Sequence, residues 1–252
     1  MINFALLKQT IKSNWIIWLA MTAIMTVLGV QFASMEMTRP LLFTIFYGMM
    51  TTILPGIYVL ITSNKLLASQ VDSGSMAYIL STPIKRSTVV ITQVFYMIVS
   101  LFLMFAITTI AHVIVNNIDP LNLSTLAYVQ YSGELTTQMI IQINLSAFMV
   151  AIALAGVCFL FSGSFNRSKY CFGLSGVFVG ESVLVNMLAM FGTLGVQALE
   201  DMKYLTICSL YDYTSILISN SDWILKMGIA GVVGVIGFIL GSIIYTKKDL
   251  PL

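Results

Sequence analysis

The residue of this chain best placed to do chemistry is an acid, Glu181. It lies inside the apolar stretch CFGLSGVFVGESVLVNMLAMFGTLGV, ten residues past Cys171, or about 15 Å at helical rise. A carboxyl at that depth in a spanning helix costs about 2.5 kcal/mol or more on insertion scales, so it is expected to face other protein or a wet cavity. At 100° per residue, Ser175, Ser182, Asn186 and Thr193 cluster about 100–140° round the helix from it. Gly173, Gly176 and Gly180 lie on another side, at about 220–280°. The stretch therefore combines a polar stripe, a smooth glycine face and an acid beside the stripe. Two readings stand. Either Glu181, with Ser175, Ser182 and Asn186, lines a translocation path or a subunit interface, or it is a protonated acid hydrogen-bonded to a neighbouring helix.

Other reactive side chains are sparse. Cys158, Cys171 and Cys208 share no short metal-type spacing and are expected to be small apolar fillers. His112 stands without partner ligands near the end of an apolar run, which suggests an interfacial histidine rather than a metal site. There is no G-x-x-x-x-G-K-[ST], no H-E-x-x-H and no G-x-S-x-G. The basic ladder of a voltage sensor is missing too. No catalytic, metal or cofactor residues are expected, and any ATP energy has to reach the chain from outside it.

The elements that position these residues follow from composition. Of 252 residues 58% are hydrophobic and 9% charged, against about 25% charged in soluble domains. No soluble core hides so much apolar surface, so the solvent is lipid. Six spans are expected at Trp15–Ala33, Leu41–Thr62, Thr88–Val115, Met139–Phe161, Cys171–Val196 and Trp223–Tyr245. Each is long enough to cross a hydrocarbon core of about 30 Å. Residues 1–14 read as an amphipathic lead along the interface. Lys8 and Lys12 before the first apolar run imitate a signal peptide, but the run is long and lacks a convincing cleavage site, so a retained first helix is expected. Pro55-Gly56 should kink the second span. The sixth carries Gly228, Gly231, Gly234, Gly237 and Gly241, a row that winds through about 180° on a straight helix and suggests close approach to two neighbours.

Orientation follows from the cations. With both termini inside, Lys8, Lys12, Lys65, Lys85, Arg86, Arg167, Lys169, Lys247 and Lys248 are inner, while Arg39, Lys203 and Lys226 are outer. The acids Glu36, Asp119, Glu134, Glu200, Asp201, Asp212 and Asp222 fall outside. The outer segments 116–138 and 197–222 are long and polar, and the second is partly amphipathic, as expected of short re-entrant or surface helices.

The longest polar interruption on the basic side is NKLLASQVDSGSMAYILSTPIKRSTVVITQ, residues 64–93. Within it an amphipathic segment, 75–80, stands between Gly74 and Pro83. Gly74 lets the chain turn in, and Pro83 ends the helix by disfavouring it at the preceding residue. Its apolar face, Met76, Ile79 and Leu80, is expected to have nothing of its own to bury against. Lys85 and Arg86 should pin the next span at the headgroups.

The stretch DSGSMAYILSTPIKR, Asp72 to Arg86, and the tail KKDLPL, Lys247 to Leu252, resemble ABC-2 type exporter permeases, as does the topology of the whole chain. The family typically shows an acidic step, Gly-Ser or Gly-Thr, Leu-x-Ser/Thr-x-Pro and a base. The chain departs from the fuller pattern in having Gln70-Val71-Asp72 where glutamates often stand. The resemblance implies an all-α polytopic membrane protein of one transmembrane domain, 1–252. It would have six transmembrane helices, an N-terminal interfacial helix, a cytoplasmic coupling helix and extracellular re-entrant helices before the sixth span. It implies a half-transporter in the bacterial plasma membrane, paired with a second permease chain, identical or a paralogue, and docked on a separate ABC ATPase subunit that holds ATP and Mg. Asp72, Gly74, Met76, Ile79, Leu80, Pro83, Lys85 and Arg86 would be the coupling residues. The substrate would be hydrophobic or amphipathic; members that export peptide toxins, confer bacteriocin immunity or expel drugs share the pattern. Nucleic acid is not an expected partner. Two other functions compete: a small proton-coupled secondary carrier using Glu181, and an immunity protein that sequesters a peptide without exporting it.

Overall fold

The computed structural model describes residues 2–81, 84–123, 133–192, 199 and 201–249. Among these the chain is helical, with one isolated antiparallel bridge, Asn122 to Glu134. Six helical segments are long and apolar enough to cross a membrane. They are α1 (Phe4–Ser34), the composite Arg39–Asp72, α5 (Arg86–Ile118), α6 (Thr137–Ser164), the Ser168–Ala189 part of α7 (Ser168–Gly192), and the helix Asp222–Lys247. The chain is therefore an all-α polytopic membrane protein in outline. The expected fifth-span residues Thr193 to Val196 lie outside the described residues.

The lead and first span are one helix. Nothing between Lys12 and Trp15 breaks it, and Asn3 caps it by accepting from the Leu6 N–H. Its inward face is largely polar or small: Thr10, Asn14, Thr22 and Gly29 are buried with Leu6 and Met25, while Ile16, Leu19 and Val27 are exposed. In lipid this arrangement is the stable one, because apolar side chains lose nothing by facing acyl chains and small polar ones bond across the seam. Thr10 Oγ1 donates to Gln93 Oε1 at 3.2 Å and the Trp18 indole N–H to the Ser100 carbonyl at 2.8 Å.

The composite second segment starts with a 3-10 turn, Arg39–Leu41, and a π-helix, Leu42–Met50, before α2 (Thr51–Leu66) and α3 (Ala68–Asp72). Pro55 lies inside α2. It has no N–H to give to the preceding turn, and the π-helix ends at Met50, before that turn. At Leu67 the backbone leaves the helical region, with φ −130° and ψ −63°. The Ala68 N–H freed there donates to Ser162 Oγ of α6 at 3.1 Å, and that hydroxyl donates to the Ser63 carbonyl at 2.6 Å.

α6 is the hub. In its most apolar window 67% of residues are buried inside the fold, against 17% for α1 and 22% for α7. Its main partner is the last helix, Asp222–Lys247, which is α9 when the short α8 (Tyr213–Leu217) is counted. Gly234, Gly237 and Gly241 rest on Ile152, Gly156, Phe159 and Leu160 of α6, and Gly231 meets Met149. The expectation of two neighbours is corrected. These four glycines span only about 120° of arc, which one closely apposed helix covers, and Gly228 packs on nothing.

Candidate functional site

Two places hold the residues singled out in the sequence. The first is the end of the bundle where the basic segments meet. α4 (Ser75–Leu80) forms as expected, after Gly74 at φ +74°, a left-handed position that suits glycine. Met76 and Ile79 of its expected apolar face are not free, which corrects the expectation for these two. Met76 is 0% exposed and joins the chain's own core, and Ile79 packs against it. A short hydrophobic helix held to the bundle by only five residues of α3 and a glycine turn falls back on the nearest apolar surface. Tyr78 stands out of the fold, 82% exposed. Pro83 and the Leu80 side chain lie outside the described residues.

Asp72 and Arg86 both work within the chain. The Asp72 carboxylate accepts from the Ser168 N–H at 3.1 Å, an unpaired donor of the first turn of α7. The Ser168 hydroxyl meets the Asn64 amide at 2.8 Å. Arg86 Nη1 donates to the Lys248 carbonyl at 2.9 Å, and Lys248 Nζ to the Phe165 carbonyl at 3.0 Å. Lys248 also lies over the Tyr245 ring, 5.8 Å from its centroid. Burial lowers the Lys248 amine to about 8. Lys85 is the residue preceding α5 and is exposed. One bonded collar thus ties α3, α5, the α6–α7 turn and the tail. The described tail ends at Asp249.

The second place is α7. Ser175 and Ser182 are buried, and the half-buried Asn186 donates to the Gly48 carbonyl of the π-helix at 3.3 Å, so the polar stripe faces the core. Glu181 points the other way and is exposed on the bundle surface. Its hydrogen-bond contact is with Ser182 of its own helix, at 3.5 Å. The expectation that it faces protein is not met within one chain, because the stripe claims the inward face. Gly173 and Gly180 beside it have no neighbour within 4 Å. Two 3-10 turns, Asp201–Leu205 and Ile207–Leu210, reach down to this level. Thr206 Oγ1 donates to the Ser182 carbonyl at 2.9 Å, ten residues before the end of α7, about 15 Å along its axis.

Several joints carry no sequence signal of their own. His112 is 3% exposed, not interfacial. Its ring fits because Gly29 of α1 offers no side chain: a Cβ there would lie 2.2 Å from Nε2. Nδ1 pairs with the Tyr47 hydroxyl at 2.8 Å. The three cysteines are buried and free, as expected of fillers. At the acidic end Arg39 pairs with Asp119, and Lys226 with Asp212. Asp212 also caps α8 through Ser215 and bonds Thr214. Burial pushes its carboxyl up, but Lys226 and these bonds outweigh that and hold it at about 2.

No protein-family model matches the chain, and no curated protein matches it.

Proposed function

We propose that the chain is the transmembrane permease subunit of an ATP-driven exporter of the ABC-2 type. It moves an amphipathic or hydrophobic substrate, a class that includes peptide toxins, out of the cell with energy from a separate ATPase chain. The observation that carries this reading is the mounting of α4. Met76 anchors the short helix to the bundle, and Tyr78 stands out of it. Behind α4, Asp72 bonds the start of α7, and ahead of it Arg86 bonds the tail at the start of α5. A push on α4 is passed back through Asp72 to the first turn of α7 by a hydrogen bond. An exposed aromatic on a short helix is the chemistry of a helix-in-groove contact.

The reading places both termini and α4 in the cytoplasm and the 3-10 turns of residues 201–210 as a re-entrant cap outside. A second permease chain covers the face of α7 that carries Glu181. The exposed acid supports this, since a carboxyl left to acyl chains is costly.

The test is co-purification from native membranes in mild detergent. Tyr78→Asp, with Leu80→Asp beside it, should leave the permease inserted while the ATPase chain is lost from the preparation and export stops. Recovery of the ATPase and export at parental levels in both variants would sink the docking role.

A further inference from the structure

One pattern occurs on each side of the α6–α7 turn: CFLFS from Cys158 to Ser162, and CFGLS from Cys171 to Ser175. A spacing of four puts each cysteine and its serine on one face of its helix. The helices are joined by a short turn and run antiparallel, so the two faces meet in crossed order. Cys158 lies beside Ser175 and Ser63, Cys171 beside Ser162 and Ser175, and the two thiols act on each other electrostatically. Cys158, Ser162, Cys171 and Ser175 are all 0% exposed.

The two hydroxyls differ. Ser162 is spent, since it accepts from the Ala68 N–H and gives its proton to the Ser63 carbonyl. Ser175 Oγ is buried with no hydrogen-bond partner, although both thiols stand near it. A buried hydroxyl left in that state is costly. A thiol is a weak acceptor for it, and a charged thiolate is a much stronger one. Cys171 stands in the first turn of α7, and the half-buried Lys248 of the tail lies close enough to act on it electrostatically. Among the described residues no third thiol, imidazole or carboxylate joins the pair.

We propose that Cys158 and Cys171 bind one soft monovalent metal ion, Cu(I) by chemical class, in a two-coordinate dithiolate site between α6 and α7. Thiolate ligands select Cu(I), whereas zinc asks for a tetrahedral set that two thiols do not fill. On binding, each thiol gives its proton to water and a copper–sulfur bond forms in its place, with no change of oxidation state. Two thiolates around a monovalent ion leave one negative charge, which the Lys248 ammonium offsets. A divalent ion would make the dithiolate neutral and leave Lys248 nothing to balance. Ser175 then donates to a thiolate, which satisfies the one hydroxyl the fold leaves without a partner. The bound ion cross-links α6 to α7 beside Ser162, the residue that holds the break at Leu67. The site is separate from α4 and from the Glu181 face, so it stands or falls independently of the exporter reading.

The experiment is anaerobic titration of the purified chain with Cu(I) held by bicinchoninate. The parent should withdraw one ion per chain and release two protons with it at about pH 7, where an ordinary thiol is still protonated. Cys158→Ser and Cys171→Ser should each abolish the uptake, while Cys208→Ser, which removes the third buried thiol, should leave it unchanged. Lys248→Gln should weaken binding about 10–100-fold, as loss of an outer partner usually does. A parent that withdraws no copper overturns the site, and so does equal uptake by both serine variants. Uptake without proton release would also overturn it, because that is the mark of thioether sulfur, and the chain has 16 methionines. If the serine variants fail to fold, the copper and proton counts on the parent and on Cys208→Ser decide.

Discussion

Gly156 of α6 and Gly234 of α9 touch backbone to backbone: a Cβ on Gly156 would lie 2.2 Å from the Gly234 carbonyl oxygen. One turn on, a Cβ on Gly237 would lie 2.5 Å from the Gly156 carbonyl carbon. A residue with any side chain at these places forces the axes apart, and packing is the main force between helices in lipid. Gly156→Ala or Gly234→Ala should lower thermal stability in detergent by about 2 kcal/mol or more, at the upper end of overpacking effects because the obstacle is backbone. Gly228→Ala, which meets nothing within 4 Å, should be neutral. Equal melting of all three variants would remove the seam from the fold's support.

Asp72 caps α7 across the loop, so its loss should be felt at a distance. Asp72→Ala should cost about 1 kcal/mol, the usual loss for a carboxylate cap, and should speed amide exchange in the first turn after Ser168. Asp72→Asn, which keeps an acceptor, should retain most of the protection. An exchange pattern unchanged in Asp72→Ala would mean that the 3.1 Å bond does not persist in solution.

The topology is open to labelling, because the three native cysteines are buried and give little background. Ser73→Cys, in the exposed turn before α4, should react only after the membrane is opened to the reagent. Asn220→Cys, just before α9, should react in intact cells. The reverse pattern would invert the chain.

Glu181 separates a covered face from a lipid-facing one. Glu181→Leu should weaken pairing of two chains or transport. Glu181→Gln, which keeps hydrogen-bonding capacity, should be milder. If the Leu variant assembles and transports as the parent does, or better, the face meets lipid and the acid is a bystander.

The pair Asp212–Lys226 at the acidic end of the bundle carries a pH signature. The Asp212 carboxyl titrates at about 2 when folded, below its ordinary 3.8. The unfolded chain binds that proton first, so the pair's stabilisation is present above about pH 4 and fades as pH falls toward 2. Its size is about 1 kcal/mol once solvent screening of a half-buried pair is allowed for. Asp212→Asn should flatten this part of the acid unfolding curve and cost little more below pH 2. A curve that keeps its full slope would assign the effect to other groups.

Membership of the membrane class, the number of spans and the small helix 75–80 were all legible in the residues, for a local reason. Length of an apolar run, the glycine at 74 and the break near 83 act within a few positions, and lipid leaves the backbone no option but helix. The basic segments also meet at one end, as alternating spans require. Which face of each helix turns inward was not legible. In water an apolar stripe marks the core, but in lipid both faces tolerate apolar side chains, so the stripe loses its meaning. Tertiary contact alone put Met76 inside and Tyr78 out, buried His112 against Gly29, and turned Ser175 and Ser182 inward. The same contacts left Glu181 on the surface. Those choices depend on which small residue of one helix lies opposite which ring or hydroxyl of another. That pairing links positions far apart in the chain, 65 for Tyr47 with His112 and 162 for Arg86 with Lys248, and no local spacing encodes it.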